Sequence, residues 1–230
     1  MEGMQIKNVK KIFDVKQKNE KCVLNNISFE IKKGEMVAII GKSGSGKSTL
    51  LHILGCMDTV SAGEYALDGI QVDSLSSKKR AELRNNKIGF ILQDFGLISE
   101  NTVLESVILP MMFDKTSLSK LKEKAIEKLK LVDMHNMLDH KVATLSGGEK
   151  QRTAIARALV KDPEYILADE PTGALDTENA QAFMKQLHKL HEMGKTIVMV
   201  THDLELAKEC GRMIRIVDGK IVKGSNINEE

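Results

Sequence analysis

The stretch GKSGSGKSTLLHILG, Gly41 to Gly55, follows directly on the apolar run MVAII, Met36 to Ile40. Glycine and serine are poor helix formers, yet here they lead into an apolar segment of helical character. The five apolar residues before them read as a strand covered on both faces, as in a parallel sheet. Glycines at such a junction let backbone N–H groups turn inward around an anion, and the helix that follows adds the positive end of its dipole. Gly41, Gly46, Lys47 and Ser48 satisfy the pattern G-x-x-x-x-G-K-S/T. In that pattern the lysine reaches the β- and γ-phosphates and the serine hydroxyl takes Mg²⁺. An ordinary Gly/Ser turn is the competing reading, and the strand before and helix after argue against it. The stretch is a nucleotide site.

Outward from this loop, NISFEI (Asn26 to Ile31) and EYALDG (Glu64 to Gly69) alternate like half-buried strands. YILA (Tyr165 to Ala168) and IVMV (Ile197 to Val200) are instead apolar throughout. The expected fold is therefore α/β: a phosphate-binding-loop NTPase core with a mostly parallel sheet and an antiparallel flank from the N-terminal region. Helical periodicity in NTVLESVILPMMF and SLSKLKEKAIEKLKLVDM predicts an inserted α-helical subdomain over about 93–160, with the core at 1–92 and 161–230. Lys120, Lys122, Lys124, Lys128 and Lys130, interleaved with Glu123 and Glu127, read as a solvated helix face. The tail KGSNINEE reads as frayed.

At 230 residues the chain accommodates one large domain. A net charge of +2 gives no global field for nucleic acid, so none is expected as a partner. The three cysteines, Cys22, Cys56 and Cys210, lack C-x-x-C spacing and fit a reducing compartment. No signal-peptide stretch opens the chain, and no window approaches the ~18 apolar residues that span a bilayer. Direct membrane insertion is not expected, and any membrane role would run through a partner.

A phosphate cradle needs an acidic element to support Mg²⁺ and a group to direct water, and YILADEP supplies Asp169 and Glu170 after a buried strand. By themselves they would read as a polar turn; a phosphate loop in the same chain changes that. LSGGEKQRTAIARAL, Leu145 to Leu159, then places a serine and two glycines before a helix with Ala154, Ile155, Ala158 and Leu159 on one side. This is a second anion-binding helix start. Two of them are redundant unless the second serves a nucleotide held by another molecule.

At this point the chain resembles the nucleotide-binding subunits of ABC transporters, whose signature is LSGGQ; here Glu149 stands in place of the glutamine. Gly41 to Ser48 resembles the Walker A loop, Gln93 the Q-loop glutamine, Tyr165 to Glu170 Walker B, Gly173 to Asp176 the D-loop and His202 the switch histidine. The resemblance implies that Gly41, Ser43, Gly44, Ser45, Gly46, Lys47, Ser48 and Thr49 bind the phosphates of ATP. It assigns Mg²⁺ to Ser48, Gln93 and Asp169, and places Lys47, Glu170, Gln93 and His202 in the hydrolytic machinery. Phe13, where most relatives have tyrosine, would stack on adenine. His188 and His191 read as solvent-facing helix residues, and Lys42, where relatives often have proline, as pointing to solvent. Ser146, Gly147 and Gly148 would close over ATP held by an opposing copy, which implies an ATP-dependent homodimer.

LLHILGCMD, SAGEYALDG, IGFILQDFGLI and ILADEPTGALD resemble the branch that contains MacB, LolD and FtsE. That branch implies a separate transmembrane permease subunit, a peripheral position on the cytoplasmic face of a bacterial membrane, and export of, or resistance to, peptides, antimicrobials or lipoproteins. An FtsE-like signalling ATPase that regulates cell-wall processes without transport is the alternative. A soluble ABC ATPase acting on DNA or ribosomes would call for tandem domains, a coiled-coil insertion or a basic face.

Overall fold

The computed structural model describes residues 2–15, 19–173 and 175–222. The tail 223–230, expected to fray, and Ala174 of the D-loop stretch lie outside the described residues. The chain opens with β1 (Gly3–Val15), β2 (Asn19–Lys32) and β3 (Met36–Ile40), then α1 (Lys47–Leu54), β4 (Ala62–Leu67) and β5 (Ile70–Gln71). Next come α2 (Ser77–Lys87), β6 (Ile88–Ile91), α3 (Val103–Ile108), α4 (Leu118–Leu131) and α5 (Gly147–Leu159). It closes with β7 (Tyr165–Asp169), α6 (Thr177–Glu192), β8 (Thr196–Thr201), α7 (Leu204–Lys208), β9 (Arg212–Val217) and β10 (Lys220–Ile221).

The continuous apolar runs form a six-stranded sheet in the order β10-β9-β3-β8-β7-β6, parallel except for the β9–β10 hairpin. Successive side chains on a strand point to opposite faces, and both faces here are covered. Met36, Ala38 and Ile40 of β3 enter one core with Ile166 and Ala168 of β7, packed under α3 to α6. Val37 and Ile39 enter a second core with Tyr165 and Leu167, roofed by Leu50, Leu51 and Leu54 of α1 and by the antiparallel sheet. At ~1.5–3 kcal/mol for each fully buried large aliphatic side chain, two covered faces explain why these strands carry no polar alternation. The flank is a separate antiparallel sheet, β2-β1-β4-β5, as the N-terminal pattern predicts.

Helix α2 was not legible in the sequence because it buries none of its residues and so has no apolar stripe. It is held at its ends: Ser76 caps it, Arg84 donates to the Cys56 carbonyl at 2.8 Å, and Lys87 pairs with Asp68 and Glu164. The lysines of α4 are exposed apart from half-buried Lys128, as expected of a solvated face. His188 and His191 are partly solvent-facing, as expected, but each also has a partner on the protein: His188 lies 3.3 Å from Glu209 and His191 2.8 Å from the Gly34 carbonyl. Cys56 and Cys210 are buried, which pushes their thiols up to about 11 and about 12, outside the reactive thiolate range.

Candidate nucleotide-binding site

The loop between β3 and α1 takes its shape from its glycines and from clamps on either side. Gly46 has φ of 102°, and a Cβ there would stand 2.8 Å from Leu24 Cδ2 and 2.9 Å from the Val23 carbonyl oxygen. A Cβ on Gly41 would stand 2.3 Å from the Ile216 carbonyl oxygen. The turn after β9 grips the loop from outside, Gly219 N donating to the Ser45 carbonyl at 3.1 Å and Asn25 N to the Gly219 carbonyl at 2.8 Å. Ser43 and Gly44 are exposed, Thr49 is half-buried, and Lys42 points to solvent as expected. Helix α1 starts at Gly46 without a side-chain cap. Ser45 Oγ is buried without a hydrogen-bond partner among the described residues. An orphaned hydroxyl, an uncapped helix start and a backbone too tight for a Cβ suit an anion.

Lys47 is 6% exposed, and its ammonium donates to the carbonyls of Gly41 at 2.9 Å and Lys42 at 3.2 Å. It also lies 3.7 Å from Glu170 Oε1. Ser48 Oγ donates to Asp169 Oδ1 at 3.0 Å. Burial pushes the Asp169 carboxyl above the ordinary range, opposed by the Ser48 hydrogen bond. Glu170 adopts φ of 44°, a left-handed conformation costly for a residue of this kind, and is held there by its N–H to the Val200 carbonyl at 2.9 Å. Its Oε2 lies 2.7 Å from His202 Nδ1. A carboxylate only accepts, so Nδ1 carries the proton in this pair. Lys47, Ser48, Asp169, Glu170 and His202 thus form one connected cluster at the carboxyl ends of β3, β7 and β8, the edge where open α/β sheets bind ligands.

Gln93 lies just beyond β6 against the turn after Glu170: a Cβ on Gly173 would stand 3.5 Å from Gln93 Nε2. Ser146, Gly147 and Gly148 are not joined to the cluster by any hydrogen bond or ion pair among the described residues. Ser146 caps α5 in a reciprocal box with Glu149, and a Cβ on Gly148 would meet Asn179 of α6. Phe13 is 38% exposed on β1, so it is not a core residue, and no hydrogen bond or ion pair among the described residues joins it to the cluster.

Three residues of this region escaped the sequence reading. Gln151, buried in α5, donates to the Pro171 carbonyl at 3.1 Å and so ties the second helix to the turn after Glu170. Arg157 of α5 donates to the carbonyls of Phe95, at 2.7 Å, and Gly96, and so ties the same helix to the loop after Gln93. Lys11 is buried, bonds Asp58 Oδ1 at 2.6 Å and the Thr59 carbonyl at 2.8 Å, and stands 4.8 Å from the centre of the Phe13 ring. Gln151, a polar residue within the otherwise apolar side of the second helix, and Arg157, set among Ala156 and Ala158, are the only local signals of the first two. Nothing local marks Lys11.

Comparison with known proteins agrees with this geometry. An ABC transporter ATP-binding protein of Thermotoga maritima is 47% identical over 218 residues, covering 95% of this chain and 93% of that protein. The macrolide export ATP-binding/permease protein MacB of Mannheimia succiniciproducens is 45% identical over 96% of this chain, which spans 34% of MacB. The ATP-binding cassette MJ0796, solved as a dimer in a post-hydrolysis state bound to ADP and Pi, superposes with a TM-score of 0.90 at 40% identity, over 99% of this chain and 100% of that one. The sequence profile of the ABC transporter family matches residues 24–173, which include the Lys47 loop, the Ser146 helix start and the Asp169–Glu170 pair, and the chain belongs to that family.

Proposed function

We propose that this chain is the ATP-binding and ATP-hydrolysing subunit of a transporter, powering a separate membrane subunit. The observation that carries the reading is the connected cluster of Lys47, Ser48, Asp169, Glu170 and His202 beside a backbone cradle built for an anion. The chain is an ABC ATPase. The Lys47 ammonium exchanges loop carbonyls for phosphate oxygens, while Gly44, Gly46 and the start of α1 offer backbone N–H groups. Freed from Lys47, Glu170 keeps its bond to His202 and orients the attacking water, with His202 facing the γ-phosphate. Ser48, Asp169 and Gln93 are oxygen donors suited to Mg²⁺, which when bound would neutralise phosphate charge. Phe13 offers its exposed face to adenine.

Two copies set head to tail would pair each Lys47 loop with the other's Ser146 helix start, enclosing two nucleotides; the MJ0796 cassette, solved as a dimer, supports pairing of two copies. The helical insertion, about 93–160, carries the signature helix against the core formed by 1–92 and 161–230. Gln151 and Arg157 transmit its position to the turns after Glu170 and Gln93.

No helix among the described residues is long and apolar enough to cross a membrane. A cleft of about 610 Å³ between α2, β6 and the α3–α4 connection, with Phe90, Pro110 and Phe113 on its walls, suits an apolar cytoplasmic segment of a permease. Phe113 is 93% exposed beside it. The chain would then work at the cytoplasmic face of a bacterial membrane. Export of peptides, antimicrobials or lipoproteins is the favoured task, supported by the MacB relative, whose own chain joins ATP-binding and permease parts.

Glu170→Gln tests the chemistry. The expected outcome is retained ATP binding with turnover lowered at least ~100-fold in a phosphate-release assay. Near-normal hydrolysis by that variant sinks the assignment.

A further inference from the structure

Helix α5 begins with a closed ring of hydrogen bonds. Ser146 Oγ accepts from Glu149 N at 3.4 Å, while Glu149 Oε2 accepts from Ser146 N at 2.7 Å and from Ser146 Oγ at 2.8 Å. A serine hydroxyl has one proton to give, and here it goes to Glu149. The bonds from Ser146 hold the Glu149 carboxyl below the usual range, so it is an anion at neutral pH. Glutamine would complete the same capping box without a charge.

We propose that Glu149 is a positioning residue that weakens ATP-dependent closure of the dimer: it holds the Ser146 proton in the nucleotide-free chain and sets a carboxylate beside the place where the partner copy's γ-phosphate arrives. The proposal rests on the reading above, in which Ser146 faces a nucleotide held by a second copy. Closure then requires Ser146 to turn its proton from Glu149 to a phosphate oxygen, and it brings two anions together. The commoner glutamine would leave Ser146 a neutral neighbour. The glutamate therefore lowers the stability of the closed, ATP-bound dimer and makes closure sensitive to ionic strength.

The test uses the full chain in a Glu170→Gln background with Mg-ATP, and dimerisation is read by sedimentation at low and high salt. Adding Glu149→Gln is expected to tighten the dimer at least ~10-fold at low salt, since like charges a few ångströms apart at a protein surface repel by more than that factor requires. The gain should shrink near 1 M salt, where the screening length falls to about 3 Å. Thermal melting reads the cap: Glu149→Gln keeps the box and should lower the transition slightly, by the helix-start charge it removes, and Glu149→Ala should lower it further. An equal or weaker Glu149→Gln dimer at low salt, or a gain undiminished at high salt, overturns the proposal while the shared site stands. Ser146→Arg provides the other arm. Loss of dimers with that variant supports the shared site, whereas dimers indifferent to it overturn both readings together.

Discussion

The two helix starts that could hold phosphate are built in opposite ways. At α1 the cap is a glycine in a left-handed conformation with no side-chain hydrogen bond, and a buried lysine lies folded over the loop. At α5 the cap is a serine locked with a glutamate, exposed and without a cation in the ring. The first start has its own positive charge and a backbone that only glycine tolerates, so it can hold a nucleotide within one chain. The second satisfies itself and contributes only when something displaces its internal bonds. Strain and buried charge set the first start apart, and a completed cap sets apart the second, which we propose waits for a partner.

The sharpest way to break this contrast is Lys47→Ala beside Ser146→Arg. Lys47→Ala should lower the ATP affinity of the single chain by more than ~100-fold, as loss of a desolvated charge–phosphate contact warrants, and Ser146→Arg should leave it within ~2-fold. Calorimetric titration at concentrations that keep the chain monomeric reads both, and equal losses would erase the distinction. A smaller effect concerns the far end of the nucleotide. Phe13→Ala should weaken ATP and GTP alike by ~1–1.5 kcal/mol, because a ring without a hydroxyl stacks but does not read base edges. Unchanged affinity would remove Phe13 from the site and leave Lys11 a structural partner of Asp58.

The smallest effect is on stability. Burial raises the Asp169 carboxyl above its unfolded value, so its ionised form is disfavoured in the fold. The sign follows: stability contributed by the neutral acid is present at low pH and lost as pH rises through that raised range. At neutral pH Asp169→Asn should therefore raise the melting temperature of the nucleotide-free protein, by about 2–4 °C if ~1 kcal/mol is relieved, while the Mg²⁺-dependent gain on adding ATP is lost. A lower melting temperature would mean that the Ser48–Asp169 bond outweighs the burial.

Much of this was legible in the residues. The Gly41–Ser48 loop, the strand-end Asp169–Glu170 pair and the Ser146 helix start each announce themselves through local chemistry, because backbone geometry and helix ends depend on neighbouring residues. Apolar runs such as MVAII and IVMV announced the sheet for the same reason. Helix α2 was silent because it buries none of its residues and only half-buried Leu83 reaches the core, and the partners of His188 and His191 were not foreseen because helix periodicity does not reveal what lies across from a polar face.

By itself, then, the sequence determined the α/β class and the family, and it marked the two helix starts that we propose hold phosphate. Only the tertiary structure decided that Lys47, Glu170 and His202 meet, that Arg157 and Gln151 bind the second helix to the turns of the first site, and that the Ser146 proton is already committed to Glu149. Local rules fix which backbone can curl around an anion, but which distant carboxylate or carbonyl faces a side chain depends on how strands and helices stack, and no spacing along the chain encodes that distance.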